Sequence, residues 1–269
     1  MHITVMSYNI MTGAYGPYGL EGVARIIDAH KPDIVGLQEV NSGRRPIDWL
    51  NQTKWLGERL SMHYAFGPAE KNVMYHEKIR EYGNALLSRF PIVRPEVRLL
   101  PTLYDEPNIN MRQPRAILAT ILDLGDFYLN IFVTHWGLTV EQRLLQARET
   151  IEIVKGWQPN NPAILLGDLN ALPGTQEIAM LNNTLGDALV SIPVEQRYTY
   201  PSGPFGSRTP NGWFGAIDYI YAVRGSTPLQ AQVIYDDSLA SDHNPVIAKL
   251  DVQAVAQPIS SQVSVASKS

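Results

Sequence analysis

Two spacings of apolar residues alternate along this chain. Unbroken or alternating apolar runs of about four to eight residues predict strands, and apolar positions recurring every three to four residues predict helices. The first pattern predicts strands over 3–10, 33–40, 83–92, 116–124, 127–135, 163–166, 217–221, 231–235 and 246–252. The second predicts helices over 20–30, 49–60 and 141–154, with a short one over 176–181. In the first helix Val23, Ile26 and Ile27 form the apolar stripe, and Pro32 ends it. Turn residues fill the gaps. There is a glycine-rich loop over 13–19, a basic loop over 41–48 with Arg44 and Arg45, and a long polar loop over 101–114. A tight turn at Gly125-Asp126 joins two strands, Pro91 breaks the strand at 83–92, and 198–215 is a loop rich in Gly, Pro, Ser and aromatics. Strands in pairs with helices between some of them predict an α+β fold with mixed sheets. No composition break divides the chain, so residues 1–252 are expected to form one domain. Residues 253–269 are polar and low in complexity, and are expected to be a disordered tail.

Composition narrows the function. With 269 residues, 45% hydrophobic and 18% charged, the chain can bury a full core. Lys and Arg number 22 against 26 Asp and Glu, a net charge of −4, so no global basic field draws nucleic acid to the surface. There is no cysteine, which excludes disulfides, thiolate metal sites and a thiol nucleophile. The longest apolar runs are far shorter than a membrane span. Met1-His2-Ile3-Thr4-Val5 enters a strand pattern directly, with no basic-then-apolar leader, so a cytoplasmic location is expected.

The candidate chemistry sits where the apolar runs stop. Gly167-Asp168-Leu169-Asn170 closes the run at 163–166. Residues two apart on a strand share a face, so Asp168 and Asn170 are expected to point the same way from a strand end. A carboxylate and an amide placed so can hold and polarise a water. Glu39 ends another apolar run, and a buried carboxylate there needs a cation, a donor or water beside it. One polar residue at a strand-to-turn junction is ordinary. Here eight of the types that bind metals or move protons recur at such junctions: Asn9, Glu39, His135, Asp168, Asn170, Asp218, Asp242 and His243. The set is rich in carboxylate and amide oxygen and has only two imidazoles, which favours Mg²⁺ or Mn²⁺ over zinc.

Six segments carry a resemblance: Ser7-Tyr8-Asn9, Leu37-Gln38-Glu39-Val40, Thr134-His135, Gly167-Asp168-Leu169-Asn170, Ile217-Asp218-Tyr219-Ile220 and Ser241-Asp242-His243-Asn244-Pro245. In order and spacing, from residue 7 to 245, they resemble the endonuclease/exonuclease/phosphatase superfamily. That resemblance implies a DNase I-like α+β fold, a four-layered α/β/β/α sandwich of two mixed β-sheets, with the site at strand ends along one edge. It also implies roles. Glu39 matches the principal Mg²⁺ ligand, Asn9 a residue supporting the metal or phosphate, and Asp242 a further acid near the metal. Asp168 matches the residue that orients or deprotonates the attacking water. Asn170 and His135 match donors to phosphate oxygens. His243 matches the contact to the scissile phosphate, and Asp218 the carboxylate that orients it. Asn84 lies where some relatives place a substrate contact. Many relatives carry a basic residue just before the Ile-Asp-Tyr element, where this chain has Gly215-Ala216.

Chemistry supports such roles without the resemblance. A phosphodiester repels nucleophiles, and a divalent cation and an imidazolium offset the charge that grows on its oxygens. An Asp–His pair orients the imidazole and favours its protonated form. Arg115, just before a strand, is a candidate phosphate contact, with a surface salt bridge as its alternative. Trp136, Trp213, Phe205, Tyr198 and Tyr200 offer rings to stack a base or pack on a lipid or small organic ester, or to anchor loops. The expected activity is a Mg²⁺- or Mn²⁺-dependent phosphoesterase, attacking a phosphate ester in line with an activated water. A small-molecule or lipid-headgroup substrate ranks first, a DNA or RNA nuclease second, and a non-catalytic binding protein third.

Overall fold

The computed structural model describes residues 1–13, 18–43, 50–73, 79–103, 113–203, 215–236 and 239–255. Arg44, Arg45, Phe205, Trp213, most of the polar loop at 101–114 and the tail beyond 255 lie outside the described residues. Among the described residues, twelve strands form two six-stranded sheets. The first contains β1 (His2–Asn9), β2 (Ile34–Ser42), β3 (His63–Val73), β4 (Ile79–Ser88), β11 (Ser226–Val233) and β12 (Val246–Val252), in the order β11-β12-β1-β2-β4-β3. The second contains β5 (Ile92–Leu99), β6 (Ala116–Asp123), β7 (Tyr128–His135), β8 (Ala163–Asp168), β9 (Gly186–Asp187) and β10 (Asp218–Arg224), in the order β5-β6-β7-β8-β10-β9. Four α-helices among the described residues accompany them: α1 (Gly19–His30), α2 (Gln52–Leu60), α3 (Val140–Gly156) and α4 (Gln176–Asn182).

Alternation along each strand builds the layers. Ile164, Leu166, Ile220 and Ala222 face inward onto Ile3, Val5, Ile34, Val246 and Ala248 of the other sheet. The intervening Leu165, Tyr219 and Tyr221 pack outward against Val154 of α3 and Ile178 and Leu181 of α4. Met6, Tyr8, Val35 and Leu37 do the same against Val23, Ile27 and Leu56 of α1 and α2. Side chains of period two thus feed a central core between the sheets and two outer ones under the helices. The result is the α/β/β/α sandwich that the family resemblance implies.

The strand expected over 83–92 is in fact two. β4 ends at Ser88, and after Pro91 the chain enters the second sheet as β5. β3 and β5 gave no apolar signal because both are edge strands. β3 carries Pro68, Glu70 and Lys71, and β5 carries Arg94, Glu96 and Arg98, the charged edge that discourages pairing with another chain.

Sheet direction decides where functional residues gather. β1 runs parallel to β2, and β7 parallel to β8, so the ends of these four strands fall on one edge. β12 is antiparallel to β1 and β10 antiparallel to β8, so those two strands begin on that same edge. This is why the candidate residues follow some strands and precede others.

The two sheets meet closely behind that edge. A Cβ built on Gly36 would lie 2.9 Å from Leu166 Cβ and 3.2 Å from Val133 Cγ1, side chains of the facing sheet. Gly36→Ala must therefore push the sheets apart or displace Leu166. We expect it to destabilise the fold by about 1–3 kcal/mol, the usual cost of overpacking, read from urea unfolding midpoints. An unchanged midpoint would show that the sheets tolerate a wider spacing here.

Candidate active site

Glu39 reaches the site through an irregularity within its strand. β2 continues to Ser42, so Glu39 does not end the strand as expected. The pairing of β2 with β4 shifts register between Leu37 and Val40, and Glu39 has a left-handed backbone with φ 57°. A bulge of this kind re-aims one side chain without ending the strand. Left-handed backbone costs a non-glycine residue about 1–2 kcal/mol, so neighbouring contacts must hold it. Asn9, at the end of β1, provides one: its Nδ2 donates to Glu39 Oε1 at 3.2 Å and to Asp168 Oδ2 at 2.9 Å. The Asn9 oxygen accepts from the Met11 N–H at 3.0 Å, so Asn9 meets the site with its amide hydrogens.

Asp168 ends β8 and is buried. Its Oδ1 accepts from the Asn170 N–H at 3.0 Å, and its Oδ2 faces both imidazoles, 3.4 Å from His135 Nε2 and 3.7 Å from His243 Nε2. Burial, and then the nearby Asp218 charge, raise its pKa to about 7, against the lowering effect of His243 and its hydrogen bonds. Asn170 does not stand on the strand beside Asp168, as its spacing suggested. It lies beyond the strand with φ 49°, and the turn carries its Nδ2 to within 2.9 Å of the Trp136 carbonyl oxygen and 3.0 Å of His135 Nε2.

Asp218 opens β10 directly opposite Asp168 in the ladder. Its Oδ2 lies 2.9 Å from His243 Nδ1. Burial disfavours charge on His243, but Asp218 and Asp168 outweigh it and push the imidazole pKa up to about 10. Two hydroxyls to which the sequence assigns no role fix this pair. Thr199 Oγ1 accepts from the Ile217 and Asp218 N–H groups, at 3.0 and 3.2 Å. Ser241 Oγ accepts from the His243 N–H at 3.2 Å and donates to the Asn9 carbonyl at 2.7 Å. The Tyr200 ring packs on the His243 ring at a centroid distance of 4.8 Å.

The donor set suits a hard divalent cation. Glu39, Asp168, Asp218 and Asp242 supply four carboxylates against one imidazolium. Asp218 Oδ1 is buried without a partner. Atoms of Asp168, Asp218 and His243 lie within 4.8 Å of one another. A protonated His243 has no lone pair for a metal, so that triad is better suited to holding a proton. Glu39 and Asp242 are only partly buried, and neither forms an ion pair among the described residues, which leaves them the better cation ligands. Burial raises the Asp242 pKa, with Glu39 adding to the rise and His243 opposing it.

Of three expected substrate contacts, two lie away from the site and the third stands behind His135. Trp136 is fully buried in the outer core, its Nε1 donating to Thr150 Oγ1 at 3.1 Å, so it cannot stack on a substrate. Asn84 is buried between the sheets, and its Nδ2 donates to the Ala116 and Val133 carbonyls at 2.8 and 3.4 Å. Arg115 is not in a surface salt bridge. It is 4% exposed, and its Nη1 lies 2.9 Å from His135 Nδ1. The sequence held the signal for this contact. Counting outward from the turn at Gly125-Asp126 gives the observed β6–β7 register, which brings position 116 opposite His135.

The sequence model of the Endonuclease/Exonuclease/phosphatase family matches residues 6–243. The endonuclease/exonuclease/phosphatase from Beutenbergia cavernae superposes with a TM-score of 0.75 at 22% identity, covering 94% of this chain and 72% of that one. The mannosyl-6-phosphatase from Bacteroides thetaiotaomicron superposes with a TM-score of 0.66 at 22% identity, covering 92% and 99%. Protein cwh43 from Schizosaccharomyces pombe is 29% identical over 156 residues, 57% of this chain. The match spans only 14% of that much longer protein.

The Asp218–His243 pair has a consequence for stability. The folded imidazole keeps its proton to about pH 10, above the ordinary value of 6.5, so the native state holds a proton that the unfolded chain releases. The stabilisation is full below about pH 6.5 and fades as pH rises towards 10. In EDTA, the urea midpoint should fall across this window, and fall less steeply in Asp218→Asn. Parallel pH profiles for the two proteins would remove the ion pair as the cause.

Proposed function

This chain belongs to the endonuclease/exonuclease/phosphatase family, and we propose that it is a divalent-metal-dependent phosphoesterase acting on a small-molecule or lipid-headgroup phosphate ester. The observation that carries this reading is one buried carboxylate, Asp168, facing two imidazoles of different environment. Asp168 lies where it can take a proton from a water attacking phosphorus in line, and a pKa near neutrality suits a general base. His243, protonated against Asp218, faces the same Asp168 oxygen and offsets charge growing on the phosphoryl oxygens. His135 and Asn170 bring two nitrogen atoms together beside Asp168, where they can meet a phosphoryl oxygen. Glu39 and Asp242 would hold a Mg²⁺ or Mn²⁺, which would supply Lewis acidity to the phosphate group when bound. Asn9 supports that function by holding Glu39 and Asp168 in place.

The substrate ranking rests on charge. Acids exceed Lys and Arg by 26 to 22, and no basic run is longer than Arg44-Arg45. A nuclease depends on neutralising a backbone of phosphates, and this chain has little to do it with. A solved relative named as a mannosyl-6-phosphatase shows that a protein of this fold can take a small phosphate ester.

Two measurements test the proposal. Glu39→Gln keeps the shape and removes the charge. We expect kcat/KM to fall roughly a hundredfold or more with an unchanged circular dichroism spectrum, and wild-type activity to vanish in EDTA. Full activity in EDTA would sink metal dependence. The substrate is tested with Mg²⁺ and Mn²⁺ against p-nitrophenyl phosphate, bis-p-nitrophenyl phosphate, phospholipids and plasmid DNA. Turnover of the small or lipid esters is expected. Plasmid nicking at low enzyme concentration, steeply weakened by salt, would identify a nuclease instead.

A further inference from the structure

Both nitrogens of the His135 ring face a donor. Nδ1 lies 2.9 Å from Arg115 Nη1, and Nε2 lies 3.0 Å from Asn170 Nδ2. A guanidinium offers donors only and keeps its charge. Asn170 Nδ2 is fixed as the amide nitrogen by its other contact, 2.9 Å from the Trp136 carbonyl oxygen, which can only accept. A neutral imidazole has one lone pair and one N–H, so it can answer only one of its two neighbours. The charged donor makes the stronger bond. The lone pair is therefore at Nδ1 and the proton at Nε2, with the acceptor Asp168 Oδ2 3.4 Å away.

We propose that Arg115 is a positioning residue that locks His135 as the neutral Nε2–H tautomer, so that His135 Nε2–H and Asn170 Nδ2–H form a paired donor site for one phosphoryl oxygen. Two N–H groups 3.0 Å apart repel each other until a shared oxygen accepts from both. An anionic phosphoryl oxygen has the lone pairs and the charge to do so, and this deepens the phosphoesterase reading on which it rests. Arg115 is buried and forms no ion pair among the described residues. Besides the ring it hydrogen-bonds Tyr82, and its Nε has no partner. Burial first, then the charges of Arg115 and His243, hold the His135 pKa well below its usual value. His135 is thereby a hydrogen-bond donor that takes no proton, and proton movement is left to Asp168 and His243.

The test is nitrogen NMR on metal-free protein carrying ¹⁵N-histidine, with the His135 signals assigned from the His135→Gln spectrum. The wild type should show a neutral ring protonated at Nε2 at pH 7. Added inorganic phosphate should shift that Nε2 signal. Arg115→Met should release the tautomer, giving the Nδ1–H form or a mixture, and Arg115→Lys should restore Nε2–H. In the Mg²⁺-loaded enzyme Arg115→Met should lower kcat/KM about a hundredfold, the usual size for a lost oxyanion donor. An imidazolium or an Nδ1–H ring in the wild type overturns the proposal, and this holds even if the Met variant does not fold. So does an unchanged tautomer in Arg115→Met, or a His135 signal that phosphate leaves unmoved. The expected tautomer in a protein without activity on any phosphate ester would count against the phosphoesterase reading alone.

Discussion

The two sheets are tied together at the site by one amide. Asn9 closes β1 of the first sheet, and its Nδ2 donates both to Glu39 on the neighbouring strand and to Asp168 across the interface. Two carboxylates that would otherwise repel are held by a shared donor. The contact requires the sheets to lie close, and the bare Cα of Gly36 against Leu166 provides that closeness a few residues back along β2. The central core therefore does more than stabilise the sandwich. Its thickness sets the distance between the Glu39 side of the site and the Asp168 side.

The polar atoms around this amide come in two tiers. Asp168, Asp218, His135 and His243 are buried and partnered, and Glu39, Asp242 and Asn170 stand nearer the opening. The backbone is left-handed at both Glu39 and Asn170. Strain of this kind persists only where surrounding contacts over-determine it. Here Asn9 holds Glu39, and Asp168 and Trp136 hold Asn170. The two imidazoles are set to opposite ends by their partners. A carboxylate on Nδ1 keeps His243 charged, and burial, reinforced by a guanidinium on Nδ1, keeps His135 neutral. One carboxylate can therefore face both rings without the three competing for the same proton.

Much of this was legible in the sequence, for identifiable reasons. Strands with apolar runs showed themselves because they are buried on both faces, and α1 and α3 because an apolar stripe recurs at helical spacing. β3 and β5 stayed hidden because edge strands half in water need no apolar run. The candidate residues at strand ends were found because a polar residue stands out after an apolar run. Thr199 and Ser241 were missed because a hydroxyl in a loop looks the same whether it binds water or fixes a catalytic backbone. Trp136 was misjudged because an aromatic beside a candidate histidine can turn either way, and here the strand turns it under α3.

The sequence by itself determined the periodicity of the elements, and with it the layered α+β class. It also determined the inventory of the site: oxygen ligands, two imidazoles and no thiol. These follow from local rules, since side-chain spacing and residue type are properties of the chain. Arg115 beside His135 follows from a hairpin register that can be counted from its turn. Tertiary structure alone decided the other partners: Asp218 against His243 and Asn9 across two sheets are contacts set by strand direction and sheet packing. Charge state and tautomer depend on those partners at hydrogen-bond distance and on burial. No local pattern carries either, so the proton positions were fixed only when the two sheets closed over the core.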